Sequence, residues 1–400
     1  MTITATTEKD ASATIIIDGK SHKVAGTHLD DTRRQLTELV IAHARAVGQP
    51  QTFITSDPDG HWTMIVYPDG HIENATDDTH APARDTPARA SLPTRRERQS
   101  FLTQQQSEEP ASQGWRGALT SLGLRLSPSE AERAERADVH AVSQHWPGPR
   151  TIAVVNGKGG AGKTPSTVLL SAVFARYGGA GVLAWDNNQT RGTLGWRTEQ
   201  GPHEATLLDL LPQTDRLLAT GAQSADLAHY VHHQTHDRYD VLRSQPMELP
   251  TNQRLDAADV DAIHQVAAKY YRLIFIDSGN DESDPMWLRM IDHSDQLVVA
   301  TTTRDDHAEA GALLLEALTA RDERAAKLAE QAVVVVTQAD PKAHKTDVQR
   351  VATGYQKLVR DVVSIPFDPA MVDGILRYGS LRPATQRAWL KAAAAVARGL

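Results

Sequence analysis

Cysteine is absent from the 400-residue sequence. Its absence excludes disulfides, thiol nucleophiles, iron–sulfur clusters and cysteine-bound zinc. No apolar run approaches the roughly 18 residues that mark a membrane span, and residues 1–14 lack the basic start and apolar stretch of a secretory signal. We therefore expect a cytoplasmic protein without a membrane span.

The composition is typical of a globular chain, with 40% hydrophobic residues, 23% charged residues and a net charge of −8. The length predicts two or three domains. Mild acidity argues against nucleic-acid binding by the whole surface, although a local basic patch remains compatible with it.

Residues 11–76 predict a small α+β domain. Asp18-Gly19 suits a tight hairpin, and the apolar spacing over residues 32–47 predicts a helix that Asp30 or Asp31 would cap. Short β-prone runs surround this helix at residues 14–17, 22–24, 52–55, 61–67 and 71–74. No cluster of ionisable or phosphate-binding residues stands out, which favours an interaction module over a catalytic one.

Residues 77–114 have few large apolar side chains, which predicts a flexible linker. Its basic run at 95–98 suits either nucleic-acid contact or simple solvation. Residues 115–149 predict a helical lead-in, in which an amphipathic segment near Trp115 precedes a helix that Ser127-Pro128-Ser129-Glu130 would start and that would end near Trp146.

Residues 150–400 alternate apolar β-type runs with helical stretches. The runs fall at 151–155, 181–185, 241–244, 273–277, 296–301, 332–337 and 362–365. This alternation predicts an α/β fold with a doubly wound, mostly parallel sheet.

A phosphate-binding motif, GxxxxGK[ST], follows the first of these runs. It comprises Gly157, Lys158, Gly159, Gly160, Ala161, Gly162, Lys163 and Thr164. Glycines let the backbone N–H groups wrap around a phosphate, Lys163 would neutralise the β/γ-phosphates, and Thr164 would ligate Mg²⁺. The alternative is a glycine-rich turn without a ligand.

Lys158 adds a feature that the general motif does not require. With it the loop resembles KGGxGK[ST], the deviant phosphate loop of the ParA/MinD family of dimerising ATPases. The resemblance implies a homodimer that encloses ATP, in which Lys158 reaches the nucleotide of the other subunit. A solvent-exposed lysine is the alternative.

The resemblance places a first switch after the second strand. Asp186 matches its acid and would hold Mg²⁺ through water or orient the attacking water; a strand-end Asp that caps a turn is the alternative. Many relatives have a second aspartate where this chain has Asn188, which orients water but accepts no proton, so we expect slow hydrolysis. Pro165 replaces a threonine that contacts the α-phosphate in the family, which removes a hydroxyl and an N–H.

Asp277 ends an apolar strand in the Walker B arrangement, near the metal and its waters; a surface Asp is the alternative. Residues 278–281 would form a second switch. The segments around Gln338 and around Pro366 and Asp368 end later strands and resemble the nucleobase contacts of the family.

The resemblance covers residues 150–400. It is nearest to actinobacterial plasmid-partition or type VII secretion-linked MinD-like ATPases, on the basis of residues 186–194 and the lead-in at 115–146. Lack of cysteine excludes the chemistry of relatives that bridge their dimer with an iron–sulfur cluster or a cysteine-bound zinc.

Two sets of histidine or basic residues each allow two interpretations. The four histidines at helical spacing would form either a polar stripe or a transition-metal site: His229, His232, His233 and His236. The last segment is basic and would either bind DNA phosphates or pack against the sheet; its basic residues are Arg382, Arg387, Lys391 and Arg398.

The sequence thus predicts an ATPase that requires ATP and Mg²⁺, dimerises with ATP and positions cargo such as plasmid DNA through nonspecific DNA binding, with nucleoid association. A small adaptor or activator protein is the expected partner. The alternatives are a slow, nucleotide-gated regulatory ATPase linked to type VII secretion or conjugation, and a ligase or kinase on the same fold.

Overall fold

A computed structural model describes residues 2–8, 10–57, 60–74, 108–114, 120, 126–179, 181–188, 192–244, 255–372 and 374–400. The chain divides into two compact units, Met1–Gln104 and Gln105–Leu400. Most of the predicted linker, its basic run at 95–98 and most of the segment at 115–124 lie outside the described residues. Among the helices that are described, none has the length and apolar content needed to span a bilayer.

Over its described residues the first unit is a six-stranded sheet with one helix, which agrees with the small α+β domain that the sequence predicted. The sheet order is β3-β2-β1-β4-β5-β6, and β1 and β4 are the parallel pair in an otherwise antiparallel sheet. Its strands are β1 (Thr2–Thr7), β2 (Ser12–Ile17), β3 (Lys20–Ala25), β4 (Gln51–Asp57), β5 (Gly60–Val66) and β6 (Ile72–Asn74).

Strand β1 lies before residue 11, where the sequence placed the start of this domain. The missed strand alternates threonine with Ile3 and Ala5, which are 1% and 4% exposed. Its own apolar pattern is weak because the strand contains just one large apolar residue, Ile3. Pairing with both β2 and β4 supplies the stability that the local sequence does not show.

The β2–β3 hairpin and helix α1 (Leu29–Val47) follow from local sequence chemistry. Asp18 and Gly19 have φ of 52° and 75°, the left-handed conformations that a two-residue hairpin turn requires. Helix α1 is capped by His28, whose Nδ1 accepts a hydrogen bond from the backbone N–H of Asp31, so the predicted Asp cap is wrong. The helix buries Leu36 and Val40 in a core shared with Ile15 and Phe53 of the sheet.

The second unit contains an eight-stranded sheet of order β14-β13-β12-β7-β11-β8-β10-β9. All neighbours are parallel except β9 and β10. This confirms the predicted fold class. The strands are β7 (Arg150–Val155), β8 (Val182–Asn187), β9 (His232–His233), β10 (Asp240–Leu242), β11 (Leu273–Ser278), β12 (Gln296–Thr302), β13 (Val333–Thr337) and β14 (Asp361–Ile365).

Helices cover both faces of this sheet. They are α2 (Glu130–Val142), α3 (Lys163–Gly178), α4 (Leu207–Leu210), α5 (Thr214–Leu218), α6 (Ser224–Leu227), α7 (Ala257–Tyr270), α8 (Pro285–His293), α9 (Asp305–Arg321), α10 (Glu323–Glu330), α11 (Lys345–Tyr355) and α12 (Pro383–Ala397). Short 3-10 helices lie at Leu194–Arg197, Leu211–Gln213, Pro369–Met371 and Tyr378–Ser380.

The central strand β7 shows why the sheet is doubly wound. Ile152 and Val154 belong to the core that includes α3 and α12, whereas Ala153 and Val155 belong to the core that includes α7 to α11. Successive side chains of a strand point to opposite faces, so an uninterrupted apolar run requires helices on both sides.

The histidines predicted to share a helix face do not lie on a helix. Helix α6 ends at Leu227, and His232 and His233 form β9, which pairs with β10. His232 is buried, with its ring nitrogens bonded to the backbone at Gly201 and Ala205. Across the described ranges no group of three or more His, Cys, Asp or Glu residues could hold a metal ion. The predicted helical stripe is therefore wrong, because strand pairing overrides the i, i+3, i+4, i+7 spacing.

Candidate nucleotide site

The glycine-rich loop connects the end of β7 to the start of α3. Gly160 and Gly162 have φ of 80° and 96°, backbone conformations that side chains with a Cβ rarely adopt. Gly162 caps α3, which places Lys163 and Thr164 in its first turn. The N-terminus of a helix and its free N–H groups attract anions, so the loop has the architecture of a phosphate site.

Lys163 is buried and points back into its own loop. Its Nζ donates to the carbonyl oxygens of Asn156 (2.9 Å) and Lys158 (3.0 Å) and to Oδ1 of Asn280 (2.6 Å). Burial lowers the pKa of Lys163, while nearby Asp277 and Glu282 act in the opposite direction. The ammonium group is thus held at the loop by neutral acceptors that an anionic phosphate could replace.

Two carboxylates meet beside the loop because their strands are neighbours. Asp186 on β8 pairs in register with Asp277 on β11. Burial and the proximity of Asp277 raise the pKa of Asp186, and burial raises the pKa of Asp277 against the opposing effects of Thr164 and Lys163. Two buried acids side by side favour a cation at this position.

Each carboxylate has a defined set of donors. Asp277 Oδ2 accepts from Thr164 Oγ1 at 2.6 Å, whereas Asp277 Oδ1 is buried and has no hydrogen-bond partner. Asp186 Oδ2 accepts from Ser244 Oγ (2.9 Å) and from the N–H of Leu194 (3.3 Å), and the carboxylate also receives the N–H of Asn188. Asp186 is therefore fixed from several sides, while Asp277 keeps one oxygen available.

These groups fit a magnesium ion. Mg²⁺ binds through one or two carboxylates and hydroxyls together with phosphate oxygens and water. Thr164 and Asp277 supply a hydroxyl and a free buried carboxylate oxygen, and Asp186 supplies a second acid. When bound, the ion would neutralise charge on the phosphates.

A cavity of about 550 Å³ opens beside the loop. Most of the predicted site residues line it: Gly159, Gly160, Gly162, Lys163, Thr164, Pro165, Asn188, Asp277, Gln338 and Asp368. Others do not line it, namely Gly157, Lys158, Ala161, Asp186 and Pro366. Lys158 is exposed, and its backbone N–H is fixed by Asn156 Oδ1 at 2.9 Å.

Asp368 and Gln338 line the cavity and also hydrogen-bond the backbone of nearby loops. Asp368 Oδ1 accepts from the N–H of Ala370 (3.1 Å), and Oδ2 accepts from the N–H of Arg382 (2.8 Å). Gln338 Nε2 donates to the carbonyl of Ala343 at 2.8 Å. These contacts brace the loops at the strand ends, and both segments lie at the cavity wall, where the sequence placed the nucleobase contacts.

Sequence reasoning missed Asn156, which follows β7 directly. It is fully buried, and its Nδ2 donates to the carbonyls of Ala300 (2.8 Å) and His307 (3.0 Å). With its contact to Lys158, it ties the phosphate loop to β12 and α9. A polar residue directly between an apolar strand and a glycine loop was the available signal.

Trp196 is a second residue that the sequence did not single out. It lines the cavity from the 3-10 helix Leu194–Arg197 and is 66% exposed. Next to it, Arg197 donates to the carbonyls of Met371 (2.7 Å) and Val372 (3.0 Å), which fixes this helix against the opposite wall.

The C-terminal helix α12 uses two of its predicted DNA-binding residues for packing. Arg387 and Arg398 both pair with Asp138 of α2, at 2.8 Å and 2.5 Å, and Trp389 is fully buried. Lys391 and Arg382 are exposed. The contacts with Asp138 favour the packing alternative for Arg387 and Arg398, although Arg398 is 47% exposed.

Residues 149–333 match a protein-family model described as an AAA domain (AAA_31). The fold of the second unit is similar to that of a ParA family ATPase from Chlorobium tepidum TLS, with a TM-score of 0.50 and 18% identity, covering 62% of this chain and 98% of that one. The predicted resemblance to ParA/MinD ATPases is therefore confirmed at the level of the fold. MinD of Pyrococcus horikoshii OT3, complexed with Mg-ADP, has a TM-score of 0.46 and 20% identity over 61% of this chain and 94% of that one.

A curated relative extends the similarity beyond this domain. The ESX-1 secretion-associated protein EspI of Mycobacterium tuberculosis is 28% identical over 297 residues, which cover 72% of this chain and 42% of EspI. The chain therefore spans less than half the length of that relative.

Proposed function

We propose that this protein is an ATP-dependent switch that binds ATP with Mg²⁺, hydrolyses it slowly and dimerises in the ATP-bound state. The observation that carries the proposal is the arrangement around the phosphate loop. Lys163 and Thr164 begin a helix beside a cavity of about 550 Å³, and Thr164 contacts the buried Asp277, which is paired with Asp186.

Each of these residues has a task in the proposed cycle. Lys163 would exchange Asn280 and the loop carbonyls for the β/γ-phosphates. Thr164 and Asp277 would hold Mg²⁺, with Asp186 acting through a water molecule. Asn188 lines the cavity and would orient the attacking water without accepting its proton, which accounts for slow turnover.

Calorimetric titration with ATP and ADP in the presence of Mg²⁺ tests nucleotide binding, and phosphate release tests hydrolysis. We expect both nucleotides to bind the wild-type chain and Lys163→Ala to weaken ATP binding by about tenfold or more. Absence of heat from ATP and ADP with folded wild-type protein would refute the proposed function.

Dimerisation is proposed to depend on Lys158. Its side chain is exposed while its backbone is fixed by Asn156, so the ammonium group is available to a second subunit. Lys158→Ala should retain ATP binding and lose the ATP-dependent increase in mass measured by light scattering. Lys342→Ala, at another exposed loop position, is the control and should dimerise normally. An unchanged Lys158→Ala dimer would remove the role across the interface.

The similarity to EspI favours a cargo or partner linked to type VII secretion, which a small adaptor or activator protein would connect to the switch. Positioning of DNA is the second proposed use, and it depends on Lys391 and Arg382, because Arg387 and Arg398 are paired with Asp138. Stimulation of hydrolysis by nonspecific DNA, lost in Lys391→Glu, would support DNA positioning. Hydrolysis that does not respond to DNA would favour the secretion-linked function.

A further inference from the structure

The first unit contains a groove between α1 and the strands β4 and β5, which we call the α1–β5 groove. Its volume is about 350 Å³. Helix α1 contributes Arg33, Leu36 and Thr37, β4 contributes Phe53, Thr55 and Asp57, and β5 contributes Trp62 and Met64. The strand residues face the helix together, because Phe53 pairs with Met64 and Thr55 pairs with Trp62 in the sheet register.

The groove contains a buried acid with an unused oxygen. The side chain of Asp57 is 4% exposed, and its Oδ2 accepts from Arg33 Nε at 2.8 Å. Its Oδ1 is buried and has no hydrogen-bond partner. A buried carboxylate oxygen without a donor is unfavourable by about 1–3 kcal/mol, so a ligand that supplies an N–H donor to Oδ1 would gain binding energy there.

The walls of the groove suit a long side chain. Leu36, Phe53 and Met64 are apolar and would pack against a chain of methylene groups. Trp62 lies 39% exposed, so its ring face is available to a cation. Arginine and lysine combine a methylene chain with a charged N–H donor, which matches the apolar walls and the free Asp57 Oδ1.

The charge of the segment that forms the sheet and helix favours a basic partner as well. Residues 1–74 contain ten aspartates and glutamates against six lysines and arginines. Among the described residues that line the groove, Arg33 is the basic one, and it is already held on the other oxygen of Asp57. A cation that approaches Asp57 Oδ1 is therefore attracted by the net negative charge of residues 1–74. Within the groove, Arg33 already pairs with Asp57 Oδ2, and Oδ1 remains without a donor.

We propose that the α1–β5 groove accepts an arginine or lysine side chain of a partner protein, with its charged group on Asp57 Oδ1 and its methylene chain against Trp62. The site belongs to the first unit and does not depend on the nucleotide site. It gives the predicted interaction module a specific binding chemistry.

Side-chain analogues test the recognition chemistry in the full-length chain. The methyl signal of Met64, assigned with Met64→Leu, would be followed by NMR during titration with n-butylguanidinium and, separately, with the neutral n-butylurea. We expect a saturable shift with butylguanidinium, and about tenfold weaker binding both for butylurea and for the Asp57→Asn variant. Equal binding of the two analogues, or unchanged binding to Asp57→Asn, would overturn the proposal.

Two further variants separate recognition from charge and folding. Glu38→Gln removes the same charge from an exposed position of α1 and should bind butylguanidinium as the wild type does. If Asp57→Asn fails to fold, Trp62→Leu replaces it, since the partly exposed Trp62 tolerates substitution; this variant should bind about two- to fivefold more weakly. Unchanged binding to folded Trp62→Leu would contradict the predicted contact with the ring.

Selection of random peptides displayed on phage, with the full-length protein as bait, tests for a polypeptide partner. The wild-type chain should enrich peptides with an arginine or lysine next to aliphatic residues, and Asp57→Asn should not enrich them. A wild-type consensus without a basic residue, or the same consensus from both proteins, would refute the proposal.

Discussion

Thr164 Oγ1 donates a hydrogen bond of 2.6 Å to Asp277 Oδ2, which connects the first turn of α3 to the end of β11. The two residues are 113 positions apart in the sequence. They meet because β7 and β11 are parallel neighbours, so that the loop after one strand and the last residues of the other lie at the same edge of the sheet. The hydroxyl and carboxylate that a magnesium ion would share are therefore positioned by the fold itself.

Thr164→Val should weaken nucleotide binding only when Mg²⁺ is present. Valine has almost the same shape but no hydroxyl, so we expect the affinity for ADP with Mg²⁺ to fall by about tenfold while the affinity measured in EDTA stays unchanged. Calorimetric titration under both conditions checks this. Thr193→Val is the control, since Thr193 bonds Thr164 at 2.8 Å without a hydrogen bond to Asp277. Equal losses with and without Mg²⁺ would contradict a role of Thr164 at the metal.

Gly192→Ala should disrupt the position of Asp186. A methyl group at Gly192 would overlap Ser244 Oγ and the carboxylate of Asp186. We expect a loss of ATP hydrolysis and a decrease in the free energy of unfolding of about 1–3 kcal/mol. Phosphate release and urea denaturation measure the two effects. Gly221→Ala, where an added methyl meets nothing within 4 Å, should change neither. Normal hydrolysis by Gly192→Ala would show that this close packing is not required.

The parts of the site that could be predicted are those encoded locally. The glycine loop has a fixed spacing, and Asp186 and Asp277 each end an apolar strand, so the sequence alone brings them to one edge of a parallel sheet. The hairpin at Asp18 and Gly19 is equally local. In each case the chain neighbours of a residue determine its conformation.

The parts that could not be predicted depend on partners far away in the sequence. Asn156 receives its role from the carbonyls of Ala300 and His307, and nothing in its own neighbourhood specifies them. The basic residues of α12 look available for DNA until Asp138 of α2 is placed beside Arg387 and Arg398. Such pairings arise from tertiary packing, which residue patterns along one helix do not report.

Asp138→Ala should destabilise the second unit. Asp138 is 8% exposed and is the shared partner of Arg387 and Arg398, so its removal leaves two like charges together at a packed surface. The two arginines are partly exposed, which limits the expected decrease in unfolding free energy to about 1–3 kcal/mol. Urea denaturation measures it, with Lys391→Ala at an exposed position of the same helix as the control, expected within about 0.5 kcal/mol of wild type. Equal stabilities of the two variants would show that the ion pairs contribute nothing.

A half-buried pair of stacked histidines predicts how stability changes with pH. His264 stacks on His293 with ring centroids 4.0 Å apart, and its Nε2 lies 2.9 Å from Thr151 Oγ1. On the other side, His293 contacts Asp261, which also binds Arg289. Burial, together with the charge of His293, lowers the pKa of His264 from 6.5 to about 4.

The unfolded chain therefore binds a proton at His264 in a pH range where the folded chain does not. Between pH 6.5 and 4 the unfolded state carries more protons, so the free energy of unfolding should fall as the pH falls through this window and should not depend on His264 above it. Protonation of His264 in the unfolded chain should lower the free energy of unfolding by about 3 kcal/mol as the pH falls across this window.

His264→Phe keeps an aromatic ring but cannot titrate, so its stability should fall less steeply than that of wild type between pH 7 and 4.5. Urea denaturation at several pH values measures the slopes, and His140→Phe, at an exposed site, is the control. Parallel profiles for wild type and His264→Phe would show that His264 is not kept neutral by its surroundings.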